Sequence, residues 1–461
     1  MPAGLSRVQE HRPDDLREQD REPSEVTGTS YGRHPGGRTA EVSSLPLWAY
    51  PGVFIASLLL SALLVPVAMS VAVRFGFLDH PGPAKSHTEA VPYLGGAAIV
   101  VAFAAVVLVG VLVDPPPSES VQLSAFLGLG VVLAVVGVID DLSGGVSPLL
   151  RLALEVAAAT AVWSLGSSAH LAGAPRPLDA VISVLWIVGV TNAFNLLDNM
   201  DGLSAGTATI AGLAVFGVAA LQHRYLVAAL AIALAGCAAG FLRSNFHPAK
   251  IYMGDAGSLF LGFVLAVLLL KLRGDAPTRV PVAVILAIPG LALFDTSLVV
   301  ATRLAHRVSP FQGGKDHTSH RLVHLGLSVP VAVGILYAVD ASLAGAAIVM
   351  SQLGDTVRIV GVVALVGAGL VAAVPLCRVP VYPTERSPTE RSPTERSPAE
   401  RSPTEPAKAA SLPANGLPSH PLPVTAQRGQ TPAPLRAAAE QPEALHWPTV
   451  QPATDDARWP T

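Results

Sequence analysis

The chain has 461 residues, 51% hydrophobic and 14% charged, with a mean hydropathy of +0.50 and a formal net charge of −3. That hydropathy excludes an ordinary soluble globular protein, and the near-neutral charge gives no case for general nucleic-acid binding. The charges crowd into Met1 to Glu41 and the stretch after Arg378, so the middle is still more apolar, as an integral membrane protein requires.

Residues 1–46 carry many charges, prolines and glycines but no short apolar core before a small-residue cleavage site, so they read as a disordered N-terminal extension and not as a signal peptide. From Leu47 to Val73 runs the first apolar stretch, an uncleaved anchor. At about 20 apolar residues per crossing, residues 47–377 predict an all-α polytopic domain of about eleven helices, with ten as the alternative. The helices begin near Trp48, Leu94, Val121, Leu149, Leu178, Leu203, Tyr225, Ser258, Val280, Val329 and Val357. Cys237 and Cys377 fall in or beside apolar runs with no metal or disulfide spacing and read as inert thiols. Residues 378–461 open with PTERSPTERSPTERSPAERSPTE, a five-residue repeat with proline in each unit and balanced Glu and Arg; it cannot bury a core and predicts a disordered tail.

The polar motifs lie at Asp79 to Gly96, Asp140 to Ser147, Asn192 to Gly206, Arg243 to Ser258 and Arg303 to Gly326. These are the first, third, fifth, seventh and ninth connections, and alternate connections of a serial bundle share one side, so all of them can converge on one face. Arg74, Lys85, Arg151, Arg243, Lys250, Arg303, Arg307, Lys315 and Arg321 lie in these connections, which predicts a cytoplasmic face; Lys271, Arg273 and Arg279 weigh on the other side.

In TNAFNLLDNMDGLSAG, Asn192, Asn195, Asp198 and Asp201 recur at three-residue spacing and would share one face of a helix running to its end. Ionisable groups at a membrane boundary normally face a cavity or a partner, which makes this stretch a site candidate rather than a plain polar loop. Asp140 and Asp141 end an apolar helix in GVIDDL and suit a divalent cation such as Mg²⁺, which takes one or two carboxylates and leaves room for substrate phosphates; an acidic cap is the simpler alternative. Asp255 sits between Gly254 and Gly257 ahead of an apolar helix, where free N–H groups would suit phosphate oxygens, the carboxylate would bind a bridging metal, and Lys250 would add a point charge; the alternative is a helix cap. Lys85 suits a diphosphate, and the His317, His320, Arg321 and His324 group, beside Lys315 and Asp316, suits anionic phosphate better than structural zinc. Together these pieces describe metal-assisted phosphoryl transfer to a membrane-borne acceptor.

DHPGPAKSHTEAVPYLGG, GVIDDL, TNAFNLLDNMDGLSAG, NFHPAKIYMGDAGSLFLGF and the DHTSHRL loop, in this order, resemble the polyprenyl-phosphate N-acetylhexosamine-1-phosphate transferase family. The resemblance covers about Leu47 to Cys377. It implies a bacterial plasma-membrane enzyme that moves N-acetylglucosamine 1-phosphate from UDP-N-acetylglucosamine to undecaprenyl or decaprenyl phosphate and releases UMP, the first membrane step of a surface glycan. It also implies Mg²⁺, with Mn²⁺ as the alternate ion, a membrane-lipid environment, no nucleic-acid partner, and a homodimer as an admissible assembly.

Carried over by motif, Asp255 is the chief metal ligand, with Asp140 and Asp198 beside it; Asp140, Asp141, Asp255 and His317 are the catalytic candidates. Lys85, Asn192, Asn195, Asp201, Asn245, His320 and Arg321 are the substrate-binding candidates, with Asp201 and Asn245 toward the nucleotide. A phosphate monoester is already largely dianionic near pH 7, so base and ligand roles within the acid set stay open. Ser319 stands where many relatives carry the middle histidine of a His-x-His-His type motif, which argues against the muramoyl-pentapeptide branch. Two other readings are a different donor sugar within the family and a lipid or solute transporter, which would place its polar groups near the membrane midplane.

Overall fold

The computed structural model describes residues 48–80, 90–116, 119–143, 145–170, 173–274, 280–310 and 313–381. The expected N-terminal extension, Lys85 and the repeat tail from 382 onward lie outside the described residues.

In chain order the helices are α1 (Ala49–Phe75), α2 (Gly95–Val113), α3 (Ser120–Ser143), α4 (Pro148–Ser164), α5 (Arg176–Leu197), α6 (Leu203–Leu221) and α7 (Tyr225–Asn245), then α8 (Gly254–Arg273), α9 (Val282–Ala287), α10 (Gly290–Ala305), α11 (Thr318–His324), α12 (Val329–Gln352) and α13 (Asp355–Cys377). Each predicted segment corresponds to helix, and among the described residues nine helices are long and apolar enough to cross a membrane. Two segments depart from a full span. α4 has 17 residues and carries Arg151 and Glu155, and the stretch from Val280 is split into α9 and α10 at Pro289, which has no N–H for the helical ladder. The chain is an all-α, multi-pass membrane protein.

α8 is the central pillar, packed by α2, α3, α5, α6 and α7. Its most apolar stretch is 89% buried, whereas those of α1 and α13 are 22% and 0% buried. This radial order follows from sequence. SLFLGFVLAVLLL is apolar on every side, as a helix enclosed by other helices must be. α13 turns Ile359, Val363, Val366 and Leu370 outward, where a bilayer can cover them.

The N-terminus of α8 is fixed from two directions. β1 (Leu78–Asp79) pairs antiparallel with β2 (Val91–Pro92), and Tyr93 continues that segment as a parallel bridge to Tyr252. Gly95 N and Gly96 N then donate to Tyr252 O and Met253 O at 3.0 and 2.9 Å, so the start of α2 holds the start of α8. From the other side α3 crosses at Gly137, where an added Cβ would run into the backbone of Asp255 and Ala256. The crossing sets the acidic end of α3 directly beside Asp255.

One expected feature differs. The face shared by Asn192, Asn195, Asp198 and Asp201 does not extend beyond Leu197, where α5 ends. The chain turns through Asp198–Asp201 into Gly202, which takes a left-handed φ of 78° at the start of α6, so the two aspartates leave the helical register of the asparagines.

Candidate active site

A cavity of about 1190 Å³ opens at the end of the bundle where the odd-numbered connections meet. Its wall takes Asp79 and Tyr93 from the first, Asp141 from the end of α3, Asn195, Asp198 and Asp201 from the fifth, His247 and Asp255 from the seventh, and Lys315 and His320 from the ninth. The convergence expected from the parity of the motifs is therefore realised in space.

At the centre sits a carboxylate cluster closed by one guanidinium. Arg151, at the start of α4, donates through Nη1 to Asp140 Oδ2 at 3.0 Å and to Asp255 Oδ2 at 2.7 Å, and through Nη2 to Asn195 Oδ1 at 2.8 Å. Asn195 Nδ2 donates to Asp255 Oδ1 at 2.8 Å and to Ser258 Oγ at 3.0 Å, so both oxygens of Asp255 are engaged. Asp140 Oδ1 accepts from Val146 N, which folds the short α3–α4 connection around it. Asp141 points the other way: its oxygens accept from Asp255 N at 3.1 and 3.2 Å. That donor, expected to be free for phosphate, is instead capped by the chain's own carboxylate, and a side chain at Gly254 would strike the same Asp141 group.

The fifth connection supplies a second group of acids. Asp198 is half-buried, and desolvation, reinforced by the negative charges of Asp255, Asp141 and Asp201, pushes its carboxyl up to about 8. Asp201 Oδ2 accepts from Ala249 N at 3.0 Å and pairs with His247 Nδ1 at 2.8 Å, joining the fifth connection to the seventh. Asn245 lines the cavity but is 2% exposed, with both ends of its amide committed: Oδ1 accepts from Gly202 N and Nδ2 donates to Ile251 O, each at 3.0 Å. Asn192 does not reach the cavity wall; its Nδ2 donates to Glu155 Oε2 and to Val188 O. For these two asparagines the geometry assigns support of the site in place of the expected substrate contact.

Across the cavity lies a histidine-bearing half built on α10 and α11. His317 Nδ1 pairs with Asp295 Oδ2 at 2.8 Å while Asp295 Oδ1 accepts from Thr318 N at 2.6 Å, so with Nδ1 donating, Nε2 is the free ring nitrogen. His320 lies alongside, its ring 6.0 Å from that of His317, and burial, followed by the charges of His317 and Lys315, pushes it down to about 4. Arg303 grips Asp316 in a two-pronged pair at 2.7 and 2.8 Å. Arg321, expected to hold phosphate, is 1% exposed and directs Nε to Asp316 O, Nη1 to Leu376 O and Nη2 to Thr302 Oγ1. It is a structural strut, since moving it to a ligand would strand the buried carbonyl of Asp316. Ser319, in the position of the expected histidine, donates to Asn199 Oδ1 at 2.5 Å and ties α11 to the fifth connection.

The residues that sequence reasoning passed over are Arg151 as the partner of the acids, Glu155 behind it, and Asp295. Each is a charge within an apolar helical run, Arg151 and Glu155 together in RLALEV and Asp295 alone in ALFDTSL, and such a charge normally has a partner.

Among the described residues no three His, Cys, Asp or Glu side chains form a metal-holding group by themselves. The donor set nevertheless fits Mg²⁺. One cationic nitrogen already lies between Asp140 and Asp255 within hydrogen-bond distance of both, and Mg²⁺ commonly takes one or two carboxylates and completes its shell with water and substrate phosphate.

A family model described as glycosyl transferase family 4 matches residues 123–273, the stretch from α3 to the end of α8. The chain is 32% identical over 308 residues, 65% of its own length and 84% of the relative's, to a Bacillus subtilis (strain 168) protein named "Probable undecaprenyl-phosphate N-acetylglucosaminyl 1-phosphate transferase". It is 30% identical over 345 residues to a decaprenyl-phosphate N-acetylglucosaminephosphotransferase of Mycolicibacterium smegmatis, covering 67% of the chain and 84% of that relative. A phospho-N-acetylmuramoyl-pentapeptide-transferase of Heliobacterium modesticaldum matches at 33% over 251 residues, 50% of the chain and 75% of the relative. The likeness runs along most of each relative and includes the helices that hold the acid cluster; the chain belongs to the polyprenyl-phosphate N-acetylhexosamine-1-phosphate transferases of glycosyl transferase family 4.

Proposed function

We propose that this chain transfers N-acetylglucosamine 1-phosphate from UDP-N-acetylglucosamine to a polyprenyl phosphate, with Mg²⁺ as cofactor and with the cavity on the cytoplasmic side of the plasma membrane. The observation that carries the reading is the meeting of Asp140, Asp255 and Asn195 on one cation at the wall of a cavity built from every odd-numbered connection. The names of the relatives in Bacillus and Mycolicibacterium support the donor and the lipid acceptor, and the Arg and Lys content of the odd connections supports the cytoplasmic side.

In the reaction an oxygen of the lipid phosphate attacks the sugar-linked phosphorus of the donor. The bond from that phosphorus to the bridging oxygen breaks, UMP leaves with the electron pair, and the anomeric C–O bond stays intact. A divalent cation held by Asp255 and Asp140 would offset the charge on the diphosphate and align it for in-line displacement.

The protein groups then divide the work. Asn195 fixes the direction of Asp255, and Asp141 fixes the backbone that carries it. Asp198, pushed up to about 8, is mostly protonated at neutral pH and can donate a hydrogen bond to a phosphate oxygen; to serve as a metal ligand it must first release that proton. Lys315 and His320 offer donors from the opposite wall. The acceptor needs no strong base, because its phosphate is largely dianionic near pH 7.

The test is UMP release by the purified full chain in detergent, with UDP-N-acetylglucosamine, polyprenyl phosphate and Mg²⁺, omitting lipid and metal in turn. Release that requires both supports the reading. Reaction only with UDP-N-acetylmuramoyl-pentapeptide would transfer it to the muramoyl branch, and no reaction with any nucleotide sugar beside a working control enzyme would overturn it. A transporter is disfavoured because the acids that line the cavity, Asp79, Asp141, Asp198, Asp201 and Asp255, gather at helix ends and connections on one face.

A further inference from the structure

Arg151 has more acidic neighbours than one cation can neutralise. Its guanidinium touches Asp140 and Asp255 and lies 3.6 Å, through Nε, from Glu155 Oε1 one helical turn behind it. Glu155 is 2% exposed and is held by Asn192, yet its Oε1 has no hydrogen-bond partner. The Arg151 side chain itself remains 22% exposed, at the edge of the cluster and not sealed within it.

Asp255 Oδ1 is taken by Asn195 and Oδ2 by Arg151, so a second cation approaching Oδ2 meets the positive guanidinium and competes with it for that oxygen. Withdrawal has a destination, because the Glu155 oxygen, without a hydrogen-bond partner among the described residues, already lies within ion-pair range of Arg151 Nε. A buried carboxylate oxygen without a hydrogen bond is costly unless something uses it. We propose that Arg151 is an internal cation that holds Asp140 and Asp255 together in the metal-free site, competes with the divalent cation for Asp255, and retreats onto Glu155 when the metal binds. The inference rests on the reading of Asp255 and Asp140 as the metal site.

The test reads metal affinity without turnover: Mn²⁺ binding by electron paramagnetic resonance, on the full chain in detergent with no donor or lipid. Removing the competing charge in Arg151→Gln is expected to tighten Mn²⁺ binding by about tenfold. Arg151→Lys keeps a charge but loses the fork that spans both acids, so it is expected to fall between wild type and Arg151→Gln, and it serves if Arg151→Gln does not fold. Unchanged or weaker Mn²⁺ binding in the folded variants overturns the proposal and leaves Arg151 a structural tie. Asp255→Asn separates the two layers: if it abolishes Mn²⁺ binding while the Arg151 variants bind as wild type, only this inference fails. If Asp255→Asn binds Mn²⁺ as wild type does, the metal assignment beneath it fails as well.

Discussion

The two walls of the cavity are charged in opposite styles. On the acid wall, among the described residues, Asp140, Asp255 and Glu155 share one partly exposed guanidinium, and Asp198 stands nearby without an ion pair. Behind Lys315 on the histidine wall the charges are matched and enclosed: Arg303 has Asp316 in a two-pronged pair with both side chains under 5% exposed, His317 has Asp295, and Arg321 spends its donors on backbone and Thr302. An under-neutralised wall is suited to receive cationic charge, while a saturated one is suited to hold shape. The difference separates the acids that receive cationic charge from Arg303 and Arg321, which only hold the opposite side in place, and substitutions on either wall should report it.

The largest effect is expected from Asp255→Asn, which leaves the fold but removes the charge on which the acid wall depends. Metal-dependent turnover should fall by about a thousandfold or more, as when a transition-state charge contact is lost. Near-wild-type UMP release by this variant would place the metal elsewhere. On the opposite wall Arg303→Ala strands Asp316 in a buried site and should cost roughly 3 kcal/mol of stability, seen as a lowered melting temperature in detergent. A loss of activity without loss of stability would erase the contrast between the walls.

Smaller effects sharpen it further. Asp295→Asn keeps the volume but weakens the hold on His317 Nδ1, and should lower kcat by about tenfold with little change in KM for the donor. An equal rise in KM would instead make His317 a donor-binding group. For His320, whose value is lowered from 6.5 to about 4, the unfolded chain takes up the proton first as pH falls, so this group lowers stability progressively from about pH 6.5 toward 4 and has no effect above that window. His320→Gln should therefore lose less stability than wild type between pH 7 and 5 in thermal melts. Parallel curves would remove burial as the cause of the shift.

Much of this was legible in the chain. Membrane class and helix positions follow from apolar run length, and the gathering of motifs follows from the parity of their connections, because a serial bundle leaves little freedom as to which loops share an end. What escaped was pairing. Nothing local in VIDDL or RLALEV says that Arg151 reaches Asp255 across more than a hundred positions, since that contact depends on α3 crossing α8 at Gly137. Arg321 and Asn245 misled for a related reason: a polar residue inside a functional motif looks the same in sequence whether its donors face a ligand or the chain's own carbonyls, and only burial separates the two cases. The tail from 382 onward lies outside the described residues, and removing Pro383 to Thr461 is expected to leave UMP release unchanged.

The central claim is that the acid wall moves a sugar phosphate as a unit onto a lipid. The most direct measurement follows a radiolabel on the sugar-linked phosphorus of UDP-N-acetylglucosamine, with polyprenyl phosphate and Mg²⁺, in wild type and Asp255→Asn. The account predicts label in the lipid fraction, still attached to N-acetylglucosamine, with unlabelled UMP in the aqueous phase, and no labelled lipid from the variant. Label remaining in water as free sugar phosphate, or reaching lipid equally well in both proteins, would contradict it.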